Sequence, residues 1–211
     1  RVIVLKANGK HFCAGADLNW MKRMKAYSME DNQKDSLALA QLLSLIYHHP
    51  KTVIAAAQGY AFGGGVGLIA ACDFAIATKT AVFCFSEVKL GLIPAVISPF
   101  VINAIGAKRT KKLFLTGEQF TAEQALDYQL VQTVCEPEKL DNITLIEATR
   151  VANNAPKALL ACKTLVNHLT PLTIDEPVLT HTANLIATLR VSPEGQEGLT
   201  AFFDKRQPKW N

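Results

Sequence analysis

A cluster of glycines contains the first residues whose type and spacing could do chemistry. Gly63-Gly64-Gly65-Val66-Gly67 follows the apolar segment Thr52–Ala57 and leads into a helix-like segment. Glycines at such a junction let the backbone turn sharply and leave its N–H groups open to a ligand. A helix that begins there adds the positive end of its dipole. The run therefore predicts an anion site built from backbone, suited to an enolate or thioester oxyanion. The alternative is that the glycines serve only a turn or close packing.

Two further segments accompany the glycine run. The one before it is His11-Phe12-Cys13-Ala14-Gly15-Ala16-Asp17-Leu18, and the one after it is Phe85-Ser86-Glu87-Val88-Lys89-Leu90-Gly91-Leu92-Ile93-Pro94. In this order and spacing, the three segments resemble the crotonase (enoyl-CoA hydratase/isomerase) superfamily. The ending Phe202-Phe203-Asp204-Lys205-Arg206 is similar to that family's C-terminal helix. The resemblance covers essentially the whole chain, and residues 85–99 are most similar to bacterial methylglutaconyl-CoA hydratases.

The resemblance implies a fold and an assembly. The fold is α/β, a crotonase-like spiral of ββα units followed by helices that mediate packing of a homotrimer or a dimer of trimers. We therefore expect a β/α core over residues 1–135 and a C-terminal helical region over residues 136–211. The resemblance also implies strands and a helix before Arg1, so the sequence is expected to be part of a longer chain.

The resemblance assigns two backbone N–H groups, those of Ala16 and Gly64, to an oxyanion hole for the thioester carbonyl. Losing one such donor typically costs ~3 kcal/mol in the barrier. It also implies that the CoA adenine is held near Ala14 and residues 16–19, namely Ala16, Asp17, Leu18 and Asn19, and that Lys205 approaches the CoA phosphates. The alternative interpretations are a turn capped by Asp17 and an ordinary surface lysine.

Catalysis requires a group that moves protons on the acyl chain. The resemblance assigns this role to Glu87, whereas many hydratases of the family use a second glutamate at the position that is Gly67 here. Two carboxylates can orient a water molecule and deliver its proton, so Gly67 is the main departure from the family pattern. Ser86 and Ser98 are candidate water partners. Without the resemblance, Glu87 would be interpreted as a solvated carboxylate.

The favoured function is an enoyl-CoA hydratase that adds water to a 2-enoyl-CoA through a stabilised enolate. The first alternative is an enoyl-CoA isomerase that uses Glu87 alone to move a proton between Cα and Cγ of a 3-enoyl-CoA. The second is a catalytically inactive CoA-binding scaffold, which the glycine at position 67 also allows. In each case CoA is the handle of the substrate, and no metal or separate cofactor is expected.

Composition bounds the remaining function classes. The 211 residues are 49% hydrophobic with a net charge of +4, which suits a folded domain with a sizeable core. No long basic run is present, so nucleic acid is not an expected partner. Residues 52–72 lack charge, but glycines and Gln58 interrupt them, so a membrane span is not expected. Five scattered cysteines without metal-like spacing predict buried reduced thiols in a cytoplasmic protein.

Periodicity and turn signals predict the elements that position these residues. Strands are expected at 1–7, 52–58, 74–77 and 82–85, and helices at 19–25, 31–48 and 64–72. Beyond Pro94 the pattern predicts helix nearly throughout. Thr121 is expected to cap a helix with Gln124 as its capping-box partner, while Pro156 and Pro193 are typical of helix starts.

Overall fold

The computed structural model describes residues 1–170 and 172–210, and it alternates strands with helices around a parallel sheet. Positions 171 and 211 of the predicted C-terminal region lie outside the described residues. The strands are β1 (Val2–Lys6), β2 (Thr52–Ala57), β3 (Tyr60–Phe62), β4 (Phe74–Thr78), β5 (Val82–Cys84), β6 (Gln119–Thr121) and β7 (Thr133–Cys135). The helices are α1 (Leu18–Met24), α2 (Met29–Tyr47), α3 (Gly64–Ala71), α4 (Ser98–Ile105), α5 (Ala107–Thr116), α6 (Ala122–Asp127), α7 (Leu140–Ala152), α8 (Pro156–Leu169), α9 (Glu176–Val191) and α10 (Pro193–Phe203).

Two sheets organise the strands. The four-stranded sheet has the order β1-β2-β4-β7, in which β2, β4 and β7 are parallel. The three-stranded sheet has the order β3-β5-β6, with β3 and β5 parallel and β6 antiparallel to β5. Alanines dominate β2, whose five residues Val53–Ala57 are all buried, because helices can pack closely on a strand of small side chains.

The chain divides into two compact units. The larger comprises Ile3–His49 and Val53–Ala148, and the smaller comprises Arg1–Val2, Pro50–Thr52 and the chain from Thr149 onward. The larger unit contains the main hydrophobic core, in which Phe83, Phe85 and Phe120 are fully buried and the rings of Phe83 and Phe85 each stack on that of Phe120. The predicted boundary between residues 135 and 136 stays a prediction.

Most predicted elements are confirmed, but three short strands contradict the sequence interpretation. β3 lies where a connection between strand and helix was expected, and β6 and β7 interrupt the region predicted to be helical beyond Pro94. Each has only three residues, too few to display alternation, and each forms by pairing with a strand far away in sequence. The predicted caps are confirmed: Thr121 and Gln124 form a capping box, and α8 and α10 begin at Pro156 and Pro193.

The thiols differ partly from expectation. None of the five cysteines, all among the described residues, forms a disulfide. Cys84 and Cys135 are buried, but Cys162 is exposed, because α8 buries none of its residues within the described structure. No helix in the described part of the chain combines the length and apolar character needed to cross a membrane.

Candidate active site

The glycine junction stands between β3 and α3. Gly63 has φ 52° and ψ −118°, a conformation that side-chain-bearing residues rarely adopt. Its N–H donates to the Cys84 carbonyl at 2.9 Å, which ties the junction to the end of β5. Gly64 is the first residue of α3, and within the described structure its N–H donates to no protein acceptor. A donor at the first turn of a helix is therefore available to an anion.

The segment that contains Ala16 reaches the same edge of the molecule. Cys13 pairs in parallel with Ala61 of β3: its N–H donates to the Tyr60 carbonyl at 2.9 Å, and its carbonyl accepts from Phe62 at 2.9 Å. Parallel segments end at a common edge, so the residues after Cys13 emerge beside those after Phe62. Cys13 also packs against α3, because a Cβ at Gly65 would lie 2.5 Å from Cys13 Cβ. The structure thus brings both predicted oxyanion segments together.

Asp17 has a structural task at the start of α1. Its side chain accepts a hydrogen bond from the Trp20 N–H at 2.7 Å, which confirms the predicted N-cap. The preceding turn relies on Gly15, whose φ is 115°. The Ala16 N–H donates to no protein acceptor among the described residues, so capping by Asp17 and donation by Ala16 are compatible. Ala14, Leu18 and Asn19 are all exposed around this turn.

Glu87 comes to the glycine junction from the end of β5. Phe85, fully buried against Phe114 and Phe120, anchors the chain, and a 3₁₀ turn over Glu87–Leu90 follows directly. This geometry brings the carboxylate against Gly63, where an added Cβ would lie 2.9 Å from Glu87 Oε1. The absence of a side chain at Gly63 is therefore what allows the carboxylate to approach the start of α3.

The electrostatics of Glu87 differ from those of a solvated carboxylate. Its Oε2 is buried and has no hydrogen-bond partner among the described residues. Burial raises the pKa of this carboxyl above its usual value of 4.5, and a hydrogen bond with its own backbone opposes only part of the rise. A carboxylate whose charge is poorly solvated takes up protons readily. This arrangement is suited to general acid–base catalysis.

Comparison with known proteins identifies the family. Residues 1–211 match the family model described as enoyl-CoA hydratase/isomerase. The chain belongs to this family. A solved Legionella pneumophila structure, named as an enoyl-CoA hydratase/isomerase (crotonase), is 54% identical, with a TM-score of 0.96 over 100% of this chain and 82% of that one. An enoyl-CoA hydratase from Shewanella pealeana is 46% identical, with a TM-score of 0.95 over 99% of this chain and 78% of that one.

The family also includes isomerases. The trans-2-decenoyl-[acyl-carrier-protein] isomerase of Streptococcus mutans is 33% identical over 215 aligned residues, which span 100% of this chain and 80% of that protein. The predicted α/β crotonase fold is confirmed by the two structural matches. The resemblance of residues 85–99 to methylglutaconyl-CoA hydratases stays a prediction, as do the individual site residues.

Packing explains why position 67 is glycine in this member of the enoyl-CoA hydratase/isomerase family. It is buried in α3, and a Cβ added to it would lie 2.2 Å from Ile97 Cγ2. The space that a side chain at 67 would enter is therefore filled by Ile97. Sequence analysis missed Ile97, because an isoleucine thirty positions away carries no signal of this contact.

Lys205 belongs to the smaller unit, whereas the other candidate residues belong to the larger one. It follows α10, is exposed and has φ 54°. Its N–H donates to the Phe202 carbonyl at 3.2 Å, which completes the end of the helix. Its predicted approach to the CoA phosphates stays a prediction.

The lining of a cavity of about 710 Å³ in the larger unit includes none of the candidate residues. It is bordered by Lys10, His11 and Tyr60 among others. His11 stacks on Tyr60 with ring centroids 4.3 Å apart and accepts a hydrogen bond from the Tyr60 N–H at 3.1 Å. His11 therefore has a packing role at the base of the segment that leads to Ala16. The Ser98 hydroxyl donates to the Ala95 carbonyl at 2.8 Å, and the water-partner roles of Ser86 and Ser98 stay predictions.

Proposed function

We propose that this protein adds water across the double bond of a 2-enoyl-CoA thioester, with Glu87 as the only carboxylate that moves protons. The observation that carries the proposal is the buried Oε2 of Glu87 at the glycine junction, which has no hydrogen-bond partner within residues 1–170 and 172–210. The family acts on acyl-CoA substrates, and its named members include hydratases. A carboxylate in this state, beside two unused N–H donors, fits the addition of water to a polarised double bond.

The mechanism begins with the thioester carbonyl accepting hydrogen bonds from the Ala16 and Gly64 N–H groups. This draws electrons from the double bond and makes Cβ electrophilic. Water attacks Cβ while Glu87 takes its proton, which leaves an enolate whose oxygen remains bound to the same two donors. Glu87 then gives the proton to Cα, so the hydroxyl and the hydrogen of one water molecule end on neighbouring carbons. One carboxylate is therefore sufficient to carry the proton from water to Cα.

CoA enters this proposal as part of the substrate, without a metal or a separate cofactor. The exposed turn over residues 14–19 and the backbone around Asp17 would receive the adenine end, and Lys205 the phosphates. Exposed apolar residues on α9 are consistent with the proposed trimer or dimer of trimers. α9 buries none of its residues within the described structure, although it exposes Leu179, Ile186 and Val191. The proposed location is the cytoplasm.

Isomerisation is the second candidate function, and Gly67 is the observation that favours it. With one carboxylate, Glu87 could take a proton from Cα of a 3-enoyl-CoA and return it to Cγ, while the same two N–H groups hold the dienolate. Water is not consumed in that reaction. The two functions therefore share their residues and differ only in whether solvent oxygen enters the product.

The experiment supplies 2-enoyl-CoA and 3-enoyl-CoA thioesters separately in oxygen-18 water, with 3-methylglutaconyl-CoA as an added substrate. We expect the conjugated absorbance to be lost and the label to appear in a 3-hydroxyacyl product. Conversion of 3-enoyl-CoA alone, without label, would instead establish isomerisation. The Glu87→Gln variant is the matched control, since it keeps the shape of the side chain and removes the charge. Binding of CoA thioesters with no turnover in either protein would favour the inactive scaffold.

A further inference from the structure

Position 67 follows the glycine junction by one turn of α3. Residues three and four apart are neighbours on a helix surface, so residue 67 lies on the same face as Gly63 and Gly64. The Glu87 carboxylate contacts this face at Gly63. A side chain at position 67 would therefore stand beside the carboxylate that the proposed reaction uses.

Ile97 closes this space. A Cβ at position 67 would lie 2.2 Å from Ile97 Cγ2 and 2.7 Å from Ile97 Cβ. The second distance matters more, because the Cβ atom is fixed by its own backbone and no rotamer change can move it. Ile97 is only 3% exposed, and it immediately precedes α4. Even alanine at 97 would keep the obstructing Cβ, so only glycine there removes both contacts.

We propose that Ile97 is a specificity-determining residue: it restricts position 67 to glycine and thereby keeps a second carboxylate away from Glu87. This inference rests on the proposed function of Glu87. The Ile97 side chain offers no hydrogen bond to water, so within this proposal Glu87 alone orients the attacking water. A carboxylate admitted at position 67 would be a second group able to orient water, so admitting it should raise hydration relative to isomerisation.

The steric part is tested by thermal unfolding of a four-member cycle: wild type, Gly67→Ala, Ile97→Gly and the double variant. Overpacking a filled core is destabilising. We therefore expect Gly67→Ala to lower Tm by roughly 5 °C or more in the wild-type background. In the Ile97→Gly background the same change should lower Tm by less than about 2 °C, or raise it. Equal shifts in both backgrounds would overturn the proposal, and this arm needs no catalytic activity.

The chemical part compares Gly67→Glu/Ile97→Gly with Gly67→Gln/Ile97→Gly, which differ only in the charge of the new side chain. The glutamate variant should raise the ratio of hydration to isomerisation at least about tenfold over the glutamine variant. Its pH profile of kcat/KM for hydration should also gain a second ionisation. Identical ratios and profiles in the two variants would overturn the proposal, because Ile97 would then be only a packing residue.

The two arms separate failure of this inference from failure of the proposed function. If the wild type turns over neither enoyl-CoA, the proposed function fails, whereas the unfolding cycle still reports whether Ile97 excludes side chains at 67. If the glutamate variant does not fold, a pair with smaller side chains replaces it: Gly67→Ser/Ile97→Gly and Gly67→Asp/Ile97→Gly. The aspartate member should then show the added ionisation, and its absence would overturn the proposal.

Discussion

The carboxylates of Glu87 and Glu197 have opposite environments. Glu197 binds the Arg206 guanidinium through both oxygens, at 2.7 and 3.0 Å, and also accepts from the Lys209 N–H. These hydrogen bonds lower its pKa to about 2. Glu87 instead has a buried oxygen, Oε2, with no hydrogen-bond partner in the described part of the chain, and burial raises the pKa of its carboxyl. A carboxylate with both oxygens hydrogen-bonded stabilises the fold, whereas one with a buried oxygen left without a partner is available for proton transfer.

Glu87→Gln should have the largest effect on activity. We expect kcat to fall by about 10³-fold, because a positioned acid–base group contributes roughly 10²- to 10⁴-fold. The folded protein should be no less stable at neutral pH, since the change removes a charge that burial disfavours on a carboxylate whose Oε2 has no partner among the described residues. The measurement pairs turnover of the preferred enoyl-CoA with thermal unfolding. A variant that kept full activity would rule out Glu87 as the proton carrier.

Gly64→Pro should remove one proposed oxyanion donor while α3 stays folded. Proline lacks the N–H but is tolerated at the first position of a helix, and a Cβ at Gly64 meets nothing within 4 Å. The loss of one donor predicts a fall in kcat of about 10²- to 10³-fold.

Ala107→Pro is the matched control for that variant, since Ala107 is the exposed first residue of α5 and also follows a glycine. Circular dichroism should report folded protein for both. Activity should be retained in the control, and equal losses in the two variants would remove the N–H of Gly64 from the mechanism.

The local parts of the fold could be predicted from the sequence. The Asp17 cap, the capping box of Thr121 and the helix start at Pro156 involve residues within three positions of one another. Their geometry depends on the chain's own chemistry and little on distant partners. The three-residue strands were missed for the opposite reason. β7 forms only because β4, more than fifty residues earlier, offers its edge.

In the candidate site, too, some features could be predicted from the sequence and others could not. Its glycines and Glu87 could be predicted, because a motif preserves their order along the chain. Their contact could not, since Glu87 Oε1 approaches Gly63 across twenty-four positions. The packing of Ile97 on Gly67 and the unpartnered Oε2 of Glu87 are properties of the folded interior. No spacing rule indicates them, and they decide how the motif works.

The Glu87 and Glu197 carboxylates should titrate on opposite sides of the ordinary glutamate pKa of 4.5. Glu87 should titrate above 4.5, because burial disfavours its charged form, while Glu197 should titrate near 2. Carboxyl carbon-13 NMR can follow both midpoints in one sample, with Glu87→Gln and Glu197→Gln to assign the signals. The acid limb of kcat/KM should follow the Glu87 midpoint, since only the ionised form accepts a proton from water. A Glu87 midpoint at or below 4.5 would contradict the role of burial.

Glu197→Gln should have the smallest effect and act on stability alone. The folded-state pKa of Glu197 is lowered from 4.5 to about 2, so its stabilising contribution is present above pH 4.5 and is lost as the pH falls toward about 2. Wild type should therefore lose Tm more steeply than the variant across that window. The Arg206→Gln variant should show the same shallow response, because it removes the other partner. Turnover at neutral pH should match wild type in both variants. A drop in turnover would contradict the assignment of Glu197 to stability alone.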